Sequence, residues 1–326
     1  MFSWDDARQQ AAALAPVPGW VEGALSDQWV VPPFSILNTN LGAWQNRRRY
    51  WLAMGIQPEL GRDGDVLFAA NAQQHLNDTM GYSFHGTSLF DPVLTELMYR
   101  WFAPPGGQIL DPFAGGSVRG VVAGYLGHPY IGIDLSRRQI EANREQAKVI
   151  LQPDKPVPYY IVGDSRQVLE TYGEDDDYDL ILTCPPYFDL EVYSDDPHDL
   201  SAQPTYGLFL EAYQDIILKA CRGLRKDRFA VIVVSEVRSH RDPRGGYVGL
   251  VPDTIRAFET AGLAYYNEII LVNVVGTLPV RAGRQFTAGR KVGKMHQNIL
   301  VFLKGDVPRD WSASRDQPPD PQQTLF

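Results

Sequence analysis

The chain has 326 residues, 44% of them hydrophobic, enough for one large buried core or two modest ones. Its formal net charge of −9 excludes a protein that coats nucleic acid non-specifically, and leaves phosphate contact to local basic clusters. The sequence has no apolar run of about 18 residues to cross a membrane, an acidic pair in MFSWDDARQQ where a secretory leader needs basic residues, and two cysteines, Cys184 and Cys221, too few for a disulfide framework or a zinc cluster. A reducing, cytoplasmic setting is therefore expected.

Residues 1–80 are rich in Trp, Pro and Asn, show no sustained periodicity, and read as an irregular N-terminal extension with a few short helices. From 81 to 305 strands and helices alternate, which predicts a doubly wound, mostly parallel α/β sheet. Val93, Leu94, Leu97, Met98 and Trp101 recur at helical spacing over 91–102, and Pro104-Pro105-Gly106-Gly107 stops that helix. A short strand at 108–110 runs into a glycine turn, followed by a helix over 117–126 and a strand at 130–133. Ser136 caps a helix over 137–150. Strands are predicted at 159–162 and 178–182, a helix at 207–221, the most apolar strand at 229–234, a helix at 253–262, and strands at 266–275 and 298–303. The long connections, 188–206, 239–250 and 276–297, are expected to be functional loops. The polar, proline-rich tail 306–326 is expected to be disordered.

Three acids close the first three strands of this pattern: Asp111 in DPFAGG, Asp134 in YIGID and Asp164 in YIVGD. An open parallel sheet binds ligands at those strand ends. Gly115 and Gly116 let the backbone approach a ligand closely, an acid after the second strand suits ribose hydroxyls, and one after the third can accept from an adenine amine. Each acid alone could be a helix cap; three in register are harder to obtain by capping. The spacing misses the dinucleotide pattern G-x-G-x-x-G, which makes an oxidoreductase the weakest alternative.

DPFAGGSVRG resembles the first motif, D-P-F-x-G-x-G, of DNA amino-methyltransferases, and FHGTSLFDPVLTELMYRWFAPPGGQIL resembles the helix that precedes it in those enzymes. TCPPYFD is similar to their (S/N/D)-P-P-(Y/F) motif, and KMHQNILVFLKG to the final strand of bacterial and phage members. The resemblance spans about 81–305. It implies a Rossmann-like class I methyltransferase fold, a role in DNA modification, and S-adenosylmethionine held by Asp111, Phe113, Gly115, Asp134 and Asp164, with Thr87, Pro112, Ala114, Gly116, Leu135 and Ser165 beside them.

Chemistry on a base requires lifting it from the stack. Pro185 and Pro186 stiffen a turn and free its carbonyls, and Tyr187 offers a face for stacking. Cys184 departs from the amino-methyltransferase pattern, because a thiol is a poor acceptor and a good nucleophile as thiolate. Carbon-5 methylation of cytosine uses such a thiolate at carbon 6. Glu236, in VIVVSEVRSH, is placed like the glutamate of the Glu-Asn-Val motif in cytosine carbon-5 methyltransferases, where it could hydrogen-bond the ring nitrogen and amine; Arg238 could reach the base oxygen. Those enzymes read Pro-Cys where this chain reads Cys-Pro-Pro-Tyr. Carbon-5 methylation is the leading reading, amino-methylation of cytosine the second and of adenine the third. Cys184 as a serine substitute and Glu236 as a helix cap are the plain alternatives.

Two basic clusters are expected to hold the phosphates of double-stranded DNA: Arg47, Arg48 and Arg49, and the acid-free run Arg281, Arg284, Arg290, Lys291 and Lys294 with its glycines and Phe286. Asp189, Glu191, Asp195 and Asp196 could read a cytosine amine. His85, His198, His240 and His296 have no metal-ligand spacing. RNA or protein methylation, and a non-catalytic nucleic-acid-binding protein on the same fold, are the competing functions. Oligomeric state leaves no mark in the sequence.

Overall fold

The computed structural model describes residues 29–57, 60–61, 90–172, 177–188, 193–194, 196–238, 244–274 and 278–308. Thr87, Asp189, Glu191, Asp195, His85 and His240, and the tail from 309 onward, lie outside the described residues.

Eight strands form one sheet: β1 (Ile36–Asn38), β2 (Ile109–Asp111), β3 (Tyr130–Asp134), β4 (Tyr159–Val162), β5 (Tyr178–Thr183), β6 (Leu224–Val234), β7 (Ala264–Val272) and β8 (His296–Lys304). Their spatial order is β1-β7-β8-β6-β5-β2-β3-β4. The pairs β1·β7, β2·β3, β2·β5, β3·β4 and β5·β6 are parallel, and β8 runs antiparallel to both β6 and β7. This is the expected Rossmann-like, class I methyltransferase arrangement, with β1 added at one edge. From β2 the chain winds outward through β3 and β4, then returns to β5 on the other side. The topological switch point therefore falls between β2 and β5, where such sheets bind ligands.

The helices are α1 (Gly42–Ala53), α2 (Pro92–Phe102), α3 (Val118–Leu126), α4 (Arg137–Ile150), α5 (Ser165–Thr171), α6 (Tyr206–Gly223), α7 (Leu250–Thr260) and α8 (Leu278–Gly289). Two apolar layers sandwich the sheet. One packs Trp44, Trp51, Leu97 and Val121 from α1–α3 against Ile109, Leu182 and Val231; the other packs Phe209, Tyr213 and Phe258 from α6 and α7 against Ile181, Ile232 and Phe302. Coverage on both faces explains why β5 and β6 read as continuous hydrophobic runs.

Two segments differ from the sequence reading. Part of the N-terminal extension is ordered into the domain: Ile36, Leu37 and Asn38 pair with Ile270, Leu271 and Val272, and α1 buries Trp44 and Trp51. A strand of three residues is too short to show a period. The supposed loop at 276–297 contains α8. Leu278, Ala282 and Phe286 recur every four residues, and Pro279 falls in the first turn, where its missing N–H costs nothing. Arg290 then ends the helix with φ of 53°, its N–H donating to the Phe286 carbonyl at 2.8 Å.

Between α1 and α2 lies a buried charge cluster. Glu96 accepts from Arg47, from Arg100 Nε at 2.9 Å and from Trp51 Nε1 at 3.0 Å. Burial alone would raise its pKa, but the two guanidinium groups outweigh this and hold it down to about 2.

Candidate active site

The three strand-end acids do three different jobs. Asp134 lines a cavity of about 400 Å³ at the switch point. One of its oxygens accepts from Gly115 N–H at 2.9 Å and the other from Ser136 N–H at 2.8 Å. Gly115 adopts φ of 49°, a left-handed turn that suits glycine, and Asn143 Nδ2 fixes its carbonyl at 2.7 Å. Burial pushes the Asp134 carboxyl above the usual range, against the pull of its two N–H bonds. Asp164 lines the same cavity and caps α5, one oxygen accepting from Arg166 N–H at 2.9 Å. Its neighbour Ser165 donates to the Pro112 carbonyl at 2.6 Å, bracing the β2 turn.

Asp111 corrects the expectation of direct ligand contact. It is fully buried and absent from the cavity wall. Its carboxylate is occupied by Arg119 Nε, Tyr130 Oη at 2.7 Å, Thr183 Oγ1 at 2.6 Å and Phe113 N–H at 3.2 Å. It is thus a positioning residue for the glycine turn. Arg119, which the sequence reading missed, also donates to the Phe113 and Ala114 carbonyls and lies 4.4 Å from the Phe90 ring centroid. Burial works against its charge, but Asp111 more than offsets that and holds its pKa above the ordinary value. Its one sequence signal is a lone cation in the otherwise apolar VRGVVAGYL.

Pro112, Phe113, Gly115, Gly116, Leu135, Ser165, Pro185, Pro186 and Tyr187 all border the 400 Å³ cavity, and Ala114 is buried behind the turn. Asp196 and His198, 2.9 Å apart, border it from the far connection. The volume is that of a small-molecule site. The residues fit S-adenosylmethionine: a carboxylate for ribose hydroxyls, a second acid for an amine, glycines for close approach, and Phe113 for an aromatic contact.

A second cavity, of about 150 Å³, opens on the other side of Cys184. Cys184 and Phe90 line both cavities. The rest of its wall includes residues far apart in the chain: Thr39 before α1 and Arg48 within it, Asp91 and Leu94 at α2, Asn273 after β7 and Gln297 in β8. Gln297 Nε2 donates to Tyr187 Oη at 3.1 Å, and Tyr187 also hydrogen-bonds Cys184. Burial, then the sulfur beside it, pushes the Tyr187 phenol well above its ordinary pKa.

Glu236 and Arg238 do not border either cavity. Glu236 accepts from Gly249 N–H at 3.2 Å and Val251 N–H at 2.9 Å, so it caps α7, which has no cap of its own at Gly249. Arg238 donates to the Gly245 carbonyl at 2.9 Å and covers the Tyr247 ring at 4.2 Å. The basic triplet also separates, because successive helical residues point about 100° apart. Arg47 is drawn inward to Glu96, Arg48 lines the smaller cavity, and Arg49 alone is exposed. Arg284 and Arg290 are exposed around α8, Lys291 is half-buried, and Lys294 lies 3.2 Å from His296 Nε2, with burial lowering its pKa. Arg281 belongs to α8. Among the described residues, no group of His, Cys, Asp or Glu could hold a metal ion, and no helix is long and apolar enough to cross a membrane.

No protein-family model and no curated protein sequence matches the chain. Among solved structures, the chain is similar to a candidate DNA modification methylase from Thermus thermophilus crystallised with S-adenosyl-L-methionine (25% identity over 45% of this chain and 56% of that one, TM-score 0.35). It is also similar to a TehB-like SAM-dependent methyltransferase from Corynebacterium glutamicum (16%, 74% and 100%, TM-score 0.39) and to TrmN from Thermus thermophilus (15%, 92% and 78%, TM-score 0.42). The chain spans about half the length of the first. All three superpose loosely, so the chemistry of the site has to come from its own geometry.

Proposed function

We propose that this protein transfers a methyl group from S-adenosylmethionine to carbon 5 of a cytosine flipped out of double-stranded DNA, with Cys184 as the nucleophile. The observation that carries this reading is the pair of cavities meeting at Cys184, on the turn Cys184-Pro185-Pro186-Tyr187. The larger suits a nucleoside-sized ligand. The smaller, at about 150 Å³, matches an engineered cavity that takes one benzene ring, so it suits a pyrimidine and is tight for a fused purine.

When bound, the sulfonium donor supplies an electrophilic methyl group. Asp134 would accept from the ribose hydroxyls, and Asp164 from the adenine amine. The Cys184 thiolate adds to carbon 6, forming an Sγ–C bond while the carbon 5–carbon 6 π pair is displaced into the ring. Carbon 5, made nucleophilic by that addition, would then receive the methyl group that the bound donor supplies. Loss of the carbon 5 proton to water and cleavage of Sγ–C restore the double bond and the thiolate. Arg49, Arg284 and Arg290 supply the exposed positive charge for DNA phosphates, with the half-buried Lys291 beside them. A second reading, methylation of the exocyclic amine of the same cytosine, is favoured by one observation: Glu236 is engaged at α7 rather than at the cavity.

The test is mass spectrometry of nucleosides from duplex DNA incubated with the protein and isotope-labelled donor. Label in 5-methylcytosine is expected. Label in N4-methylcytosine selects the second reading, and label in adenine, or in RNA or protein but not DNA, overturns both.

A further inference from the structure

We infer that Arg48, contributed by α1, forks onto the O2 and N3 atoms of the base in the smaller cavity and acts there as a catalytic residue. This rests on the proposed reading of Cys184 and its two cavities. The Arg48 Nε atom is buried and has no hydrogen-bond partner. Its nearest acid, Asp91, lies 3.8 Å away, beyond hydrogen-bond reach. Asp91 is already committed: one oxygen accepts from Val93 and Leu94 N–H, the other from Trp44 Nε1 at 3.1 Å. A buried guanidinium N–H without an acceptor, on the wall of a ring-sized cavity, is a donor waiting for a ligand acceptor.

The other polar groups of the wall narrow what that ligand is. Thr39 Oγ1 donates to the Val272 carbonyl at 2.9 Å, and Gln45 Nε2 to the Thr39 carbonyl. Gln297 gives its amide N–H to Tyr187, and its side-chain carbonyl accepts nothing among the described residues. The cavity thus presents the Arg48 guanidinium and the side-chain carbonyls of Gln45, Asn273 and Gln297, none of which accepts a hydrogen bond among the described residues. Cytosine presents the complement, two adjacent acceptors at N3 and O2 and a donor amine at carbon 4. Thymine and uracil present an N3–H to the cation, donor against donor, which is a mismatch at that point. Addition of Cys184 at carbon 6 sends negative charge toward N3 and O2, so a cation fixed there favours the transition state over bound base.

Kinetics on a duplex with one target base test the inference. Arg48→Lys keeps the charge facing Asp91 and removes the fork. It is expected to lower kcat by about 10- to 100-fold, the range of one bidentate pair, with KM and donor affinity little changed. Arg48→Met is expected to lose more, and to narrow the preference for cytosine over uracil at the target position. A Lys variant that keeps wild-type kcat overturns the inference while leaving the function standing, as does one that loses only donor affinity or KM. A wild-type protein that labels no cytosine overturns both.

Discussion

The two cavities on either side of Cys184 are built in opposite ways. The larger has a local floor: β2, β3 and β4 follow one another in the chain, and their tips bring Gly115, Asp134 and Asp164 together through backbone N–H groups and short turns, while Phe90, Tyr187 and His198 close it from elsewhere in the chain. The smaller is assembled from afar, with Thr39, Asp91, Cys184, Asn273 and Gln297 meeting only because β1, β7 and β8 lie on the far side of β5 and β6. The floor of the first can be read before the chain is folded. The second exists only once the sheet order is known, and it is there that the choice of acceptor would be made.

Substitutions can separate the two. The largest effect is expected at the shared wall: Cys184→Ser should cut methyl transfer by more than about 10³-fold while donor binding, measured by calorimetry, stays as in wild type. A serine variant that remains active would place this protein with the amino-methyltransferases. Next is Glu96→Gln, which strands Arg47 and Arg100 and should cost about 3–5 kcal/mol in denaturant unfolding. Because Glu96 is held at about 2 against an ordinary 4.5, its stabilisation is complete above pH 4.5 and is lost as pH falls toward 2. The Gln variant should show no such slope, and, since α1 walls only the smaller cavity, it should bind donor better than it methylates.

Asp134→Asn should affect the larger cavity alone, weakening donor binding by about 10- to 100-fold, the worth of a charged hydrogen bond. Burial raises the Asp134 pKa, so wild-type donor affinity should fall with decreasing pH sooner than an ordinary aspartate would dictate, and the Asn variant should lack that dependence. The smallest effect belongs to Glu236→Ala, about 1 kcal/mol of stability from a lost cap, with turnover intact. A large loss of kcat there would return Glu236 to the chemistry.

The contrast also explains what the sequence could say. The strands, the order of motifs and the cavity-lining residues Phe113, Gly115, Asp134 and Pro185 were legible because each depends on its neighbours in the chain. Asp111 carried the same local signal and yet faces inward, since nothing adjacent announces that Arg119, Tyr130 and Thr183 converge on it. Glu236 was misplaced for a related reason: the helix it caps begins at Leu250, beyond any local pattern. Arg47–Arg49 looked like one charged patch because composition does not record that three consecutive helical residues face three ways.

The most direct measurement of the central claim uses a duplex whose target cytosine carries fluorine at carbon 5. Fluorine cannot leave as a proton does, so an adduct through Cys184 would persist after methyl transfer. The account predicts a denaturation-resistant protein–DNA species whose tryptic peptide map places the base on Cys184. A protein that methylates the ordinary duplex yet forms no such species would contradict it.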